Sequence, residues 1–139
     1  MKFNNLNDLF KKIENDIQDT MINEVAENVK DEMIDAVQTS VYSVYDPVEY
    51  IRRYGDGGLG ARENIKVDEI DNGIMLKDIA PLDNGRTDYA LDDIIVNRGV
   101  LGYPQGRDFY SETIEQMENN GRCIKALKDG LKKRGYECK

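Results

Sequence analysis

Between Leu6 and Val37, apolar residues fall at Leu6, Leu9, Phe10, Ile13, Ile17, Met21, Val25, Val29, Met33 and Val37, with no Pro or Gly among them. Steps of three and four place them on the stripe of an amphipathic helix, and Asn4, Asn5, Asn7 and Asp8 supply candidate N-caps. A helix of ~30 residues spans ~45 Å at 1.5 Å per residue, more than a compact domain of this size needs. The recurring step of four also advances ~40° each time against a 3.6-residue turn, so the stripe winds round the helix. Three arrangements satisfy this pattern: a helix that bends, a break near Thr20 giving two helices, or one long helix whose parts face different neighbours, including other copies of the chain.

The pattern changes at Val41. The stretch to Gly60 holds Tyr42, Tyr45, Tyr50 and Tyr54, Pro47, the pair Arg52-Arg53, and then Gly55-Asp56-Gly57-Gly58-Leu59-Gly60. This reads as a loop with stiff aromatic anchors followed by a mobile glycine-rich stretch. Asn64 to Ile70 and Ile74 to Ile79 flank Asp71-Asn72-Gly73, which predicts a β-hairpin turning at Asn-Gly. Pro81 to Thr87 is a polar loop, Leu91 to Val96 a short buried strand or helix, and Gly99 to Gly106 a further loop. From Arg107 the spacing of Phe109, Tyr110, Ile114, Met117, Ile124, Leu127 and Leu131 is again helical. Asn119-Asn120-Gly121 is placed to break or bend that helix, and Gly135 to stop it. The order predicts one α+β domain over 1–139, with a long N-terminal helix and a C-terminal helix packed on a small antiparallel sheet. Its parts are a helix over 1–40, a Tyr/Arg/Gly-rich loop over 41–63, a hairpin and sheet region over 64–106, and a C-terminal helix over 107–135.

Composition narrows the chemistry. The chain has no His, which removes the commonest general base and transition-metal ligand. Its net charge is −8. Residues 1–40 carry 4 basic and 9 acidic groups, 41–106 carry 7 and 12, and 107–139 carry 8 and 6. An acidic body with a mildly basic C-terminal segment is a poor match for binding a phosphate backbone. No apolar run approaches the ~18 residues of a membrane span, and Met1 to Asn5 leads into the amphipathic segment without a signal-peptide core. The expectation is a protein made in a cytoplasm, with Cys123 and Cys138 as free thiols.

Three motifs invite a catalytic reading, and each has a plainer one. Gly55 to Gly60 matches G-x-G-x-x-G, but a Tyr/Arg loop precedes it and a hairpin follows, so no dinucleotide is expected. Asp92-Asp93, and Asp68, Glu69 and Asp71, lack the spacing of a calcium loop and read as solvated surface. Cys123 has no His to activate it and reads as a packing residue. No catalytic residue, metal or cofactor is therefore assigned. Tyr42, Tyr45, Tyr50, Arg52, Arg53, Tyr54 and Leu59 are the interface candidates, because Tyr and Arg offer stiff, amphipathic, stacking contact area.

The run Val41-Tyr-Ser-Val-Tyr-Asp-Pro-Val-Glu-Tyr-Ile-Arg-Arg-Tyr54, followed by Gly57-Gly58-Leu59 after a long helix, resembles the minor capsid or tail-completion proteins of tailed bacteriophages. Gly102-Tyr-Pro-Gln-Gly-Arg-Asp-Phe109 and the ending Ile124 to Gly135 are similar to that family too, so the resemblance spans nearly the whole chain. Asn97-Arg98-Gly99 departs from it, where a Glu-Gly pair is expected. The resemblance implies a non-enzymatic virion protein of the neck, between portal and tail tube. It implies rings, usually hexameric, that contact neighbouring neck and tail-tube proteins, with DNA only passing through and no membrane involved. Tail terminator, head closure and tail completion all remain open as the ring position. A cytoplasmic adaptor binding one host protein through the Tyr loop is the alternative, and a carboxylate hydrolase a distant third.

Overall fold

The computed structural model describes residues 2–46, 53, 57–82, 91–99 and 105–139. Its dominant element is one helical run from Leu6 to Tyr42. It comprises α1 (Leu6–Thr20), a π turn (Met21–Val25), α2 (Ala26–Val37) and a second π turn (Gln38–Tyr42). The backbone stays right-handed helical through the junctions, with φ −65° and ψ −42° at Thr20 and φ −61° and ψ −43° at Val37. The helix is therefore unbroken at Thr20. The π turns explain how: each i→i+5 turn takes in an extra residue and rotates the stripe back by roughly 100°, offsetting the ~40° drift of the step of four. Side chains occupy carbonyls around them. Thr20 Oγ1 donates to Asp16 O at 2.7 Å, and Thr39 Oγ1 to Asp35 O at 3.1 Å. As a result Val25, Val29, Met33, Val37 and Val41 are all buried.

The hairpin pairs β1 (Ile65–Ile70) with β2 (Gly73–Asp78), Ile70 facing Gly73 and Ile65 facing Asp78. The two turn residues are Asp71 and Asn72, one position earlier than the Asn-Gly rule predicts, and Asn72 adopts the positive φ of 60°. The apolar pattern decides this register: Ile65, Val67, Ile74 and Leu76 share the inward face, whereas a slip of one residue would bury Lys77. β2 lies against α2 and the first π turn, and Gln18 Nε2 donates to Gly73 O at 2.8 Å. The segment from Leu91 is helical, α3 (Leu91–Asp93) running into a π turn at Ile94–Arg98.

The C-terminal segment forms two helices. α4 (Phe109–Asn120) is capped by the Asp108 carboxylate, and α5 (Arg122–Lys133) begins after Gly121, which takes the left-handed conformation at φ 65°. Gly135, at φ 94°, ends α5 as expected, with Tyr136 N donating back to Leu131 O at 3.1 Å. α4 lies along α2, and α5 along the first π turn and α1. The main core gathers Met33, Val37, Val41, Leu59, Ile65, Ile95 and Phe109. A second cluster of Val25, Val29 and Cys123 sits under α5. The result is the expected α+β class, with the long helix as its spine.

α5 approaches α1 closely because Gly130 lacks a side chain. A Cβ there would stand 2.5 Å from Thr20 Cγ2. Alanine normally favours a helix interior over glycine by ~1 kcal/mol. Here Gly130→Ala is expected to lose stability instead, by about 1–3 kcal/mol, because Thr20 is fully buried and has nowhere to retreat. Urea unfolding checks the sign.

Candidate interaction site

The apolar stripe of the long helix divides into two parts with different fates. Past Ile17 its step is a constant four, and from the first π turn onward the helix is covered by β2, α4 and α5. Before that, Leu6, Phe10, Ile13 and Ile17 are spaced four, three, four, the alternation of a coiled-coil seam. This seam is open in the single chain: Leu6 is 67% exposed, Phe10 55% and Ile17 40%, with Phe3 also exposed just ahead of the helix. The helix start is well formed, since Asn5 Oδ1 accepts from Asp8 N at 2.9 Å.

The base of the seam is tied down by α5 and the tail. Tyr136 Oη donates to Asp16 Oδ2 at 2.6 Å, and Lys12 Nζ reaches the same carboxylate at 2.5 Å. The Lys12 bond, then the Tyr136 bond, hold the Asp16 carboxyl below its ordinary range. Arg134 pairs with Glu24 at 3.2 Å, about two turns beyond Asp16 along the helix. The N-terminal turns of α1 thus project from an anchored base with large apolar side chains outward.

The interface candidates read from the sequence take several places. Leu59 is 3% exposed and belongs to the core, so the lone chain does not present it to a partner. Its hydrophobicity is spent on the fold, and Gly58 beside it is buried as well. Tyr42 packs against the same core, and its hydroxyl accepts from Gly60 N at 2.9 Å, pinning the end of the glycine stretch. Tyr45 is half-buried with the Arg107 guanidinium 5.8 Å from its ring centroid. Arg53 donates to the Pro81 carbonyl. Tyr50, Arg52 and Tyr54 lie outside the described residues.

Asp92 corrects an expectation. It is not surface: it is 4% exposed and accepts from Tyr110 Oη at 2.6 Å. The same hydroxyl accepts from Asp78 N at 3.0 Å, while Asp78 Oδ1 accepts from Ala80 N at 2.9 Å. Tyr110 therefore ties the end of β2 to α3. Burial, with the Asp92 carboxylate nearby, pushes the Asp78 carboxyl up to about 7. Burial, then the bond to Asp92, likewise pushes the Tyr110 hydroxyl upward. Asp78 exposes none of its surface, so this pair works as an internal tether. Cys123 is a buried free thiol, raised by burial, which fits a packing role. Among the described residues no group of three or more His, Cys, Asp or Glu is placed to hold a metal, and no helix is long and apolar enough to cross a membrane.

A family model named YomN matches residues 5–133. The chain belongs to the YomN family. That family is named after a Bacillus phage or prophage gene, which points to a phage-associated protein. No curated protein and no solved structure matches the chain. The phage association read from the resemblance agrees with YomN membership, while a position at the neck is a finer statement than the family carries.

The matched span of the YomN model takes in the seam from Leu6 to Ile17, while Arg134 and Tyr136 of its anchor lie just past the span. The change of step at Ile17 was the available sign that α1 leaves the fold there. Composition held no sign of it, because an exposed and a buried stripe use the same residues.

Proposed function

We propose that this YomN-family protein is a structural subunit of a phage particle, a ring component at the head–tail junction that assembles through the open face of α1. The observation that carries this reading is the seam of Leu6, Phe10 and Ile17, large exposed apolar side chains on one stripe of an anchored helix, with Ile13 half-buried between them. Exposed patches of this kind mark association surfaces, and covering the exposed half of each such side chain gains on the order of 1 kcal/mol. The phage association of the family and the resemblance of residues 41–59 and 102–135 to neck proteins support the particle context. The acidic surface, at net charge −8, suits a ring that lets DNA pass without holding it.

Sedimentation of the purified chain and peptide analysis of purified particles test this reading. The wild-type chain is expected to self-associate and to be found in particles. Leu6→Asp combined with Phe10→Asp is expected to abolish both while leaving the unfolding free energy within about 1 kcal/mol, since neither side chain serves the core. A strictly monomeric chain absent from particles, with normal particles formed without its gene, would reject the reading in favour of an adaptor.

A further inference from the structure

A second surface feature lies farther along the spine. Between α2, the second π turn and α4 runs an open groove of about 430 Å³, lined by Glu32, Asp35, Gln38, Thr39, Gln116 and Asn119, with Asn120 and Arg122 at one end. Glu32 is 1% exposed, an unusual place for a carboxylate. Its Oε1 accepts from Asn120 Nδ2 at 2.8 Å and forms an ion pair with Arg122, whose Nε lies 3.1 Å away. Its Oε2 is buried and has no hydrogen-bond partner.

The groove has acceptors to spare. Asp35 is exposed at the rim and enters no ion pair among the described residues, so two carboxylates face a single guanidinium. The Thr39 hydroxyl spends its proton on Asp35 O and Ala36 O, and Gln116 Nε2 donates to Glu112 Oε1 at 3.2 Å, so what these two lining side chains still offer is chiefly acceptor oxygen. A surplus of acceptors with net negative charge is complementary to a donor cation, and an ammonium on an aliphatic stem matches an open groove between helices.

The chain itself carries such a group. α5 holds Arg122, Lys125, Lys128, Lys132 and Lys133 against one acid, Asp129. Lys132 and Lys133 are exposed in its last turn and enter no ion pair among the described residues. They cannot reach their own groove: Arg122 at its rim is some ten residues away along the same helix, roughly 15 Å.

We propose that the Glu32–Asp35 groove seats a lysine ammonium from the α5 end, Lys132 or Lys133, of a second copy. The proposal rests on the assembly reading above and adds direction to it. A groove on one copy filled by a distant helix end of the next is a heterologous contact, the kind that closes rings.

Carbodiimide coupling of an equal mixture of isotopically light and heavy chains, followed by peptide mapping, tests it. The expected product is a mixed light–heavy amide joining Glu32 or Asp35 to Lys132 or Lys133. In sedimentation, Asp35→Lys alone and Lys132→Glu with Lys133→Glu alone are each expected to weaken self-association about tenfold, and an equal mixture of the two variants to regain much of it. Both variants change exposed side chains, so thermal melting is expected to be unaltered. Self-association that persists unchanged in both variants, with no mixed cross-link, overturns the groove contact and leaves the assembly reading standing. A chain that never associates overturns both.

Discussion

Phe109→Ala is expected to cost about 3–5 kcal/mol of folding free energy. Phe109 exposes none of its surface and stands where α4 meets the second half of the spine, among Val37, Val41, Ile65 and Ile95. Truncation there removes a whole ring and leaves a void, because backbone on both sides is held. The carbonyl of Phe109 accepts from Thr113 Oγ1 at 2.7 Å, and Arg107 N, two residues before it, donates to Ile95 O at 2.7 Å. Against a typical stability of about 5–15 kcal/mol, such a loss leaves a marginal protein. Urea denaturation reads it as a lower midpoint at unchanged slope. Phe10→Ala supplies the contrast: with that ring 55% exposed on the seam, the expected loss in the monomer is under about 1 kcal/mol.

Raising the pH from about 4 to about 7 is expected to remove up to about 4 kcal/mol of stability through Asp78 alone. The sign follows from burial. The folded chain keeps a proton on Asp78 up to about pH 7, whereas the unfolded chain releases it near the ordinary 3.8. Between those values folding takes up a proton, so each pH unit costs the folded state, and above about 7 the loss is complete. The groups facing Asp78 are Tyr110, whose hydroxyl stays protonated throughout this window, and the carboxylate of Asp92. Asp16, Asp108 and Asp129 are shifted downward from 3.8 and Glu27 from 4.5, so their contributions are complete above about pH 5 and leave the comparison of pH 5 with pH 8 to Asp78. Asp78→Asn keeps an oxygen for Ala80 N and cannot ionise. The variant is therefore expected to flatten the decline. Melting temperatures of both chains at pH 5 and pH 8 check this, and parallel profiles would rule out Asp78 as the source.

The two phenylalanines show where reading residues in order succeeds and where it stops. Both sit at apolar positions of helical stripes, and spacing alone treats them alike. Phe109 joins one core cluster with Val37 and Ile65 across long separations in the chain, while Phe10 keeps more than half of its surface open. The acids behave similarly. Asp92 and Asp93 are neighbours of identical type, but a helical turn directs only Asp92 inward to Tyr110. Leu59 followed the same logic in reverse: a leucine beside Tyr and Arg in a glycine-rich stretch read as contact surface, yet it closes the core.

Local chemistry was sufficient for the elements themselves. Continuous apolar spacing without Pro or Gly determines a spine from Leu6 onward, alternation in Ile65–Ile70 and Gly73–Asp78 determines the hairpin, and Gly121 and Gly135 determine the breaks in the C-terminal helices. These depend on backbone preferences and periods that operate over a few residues. Tertiary packing alone decided that the spine stays whole through two π turns, that Glu32, Asp78 and Asp92 lose contact with water, and that Leu6, Phe10 and Ile17 keep it. Burial is a property of what lies opposite a side chain, and the opposing residues come from distant parts of the chain, so the same stripe is core along α2 and open surface along α1.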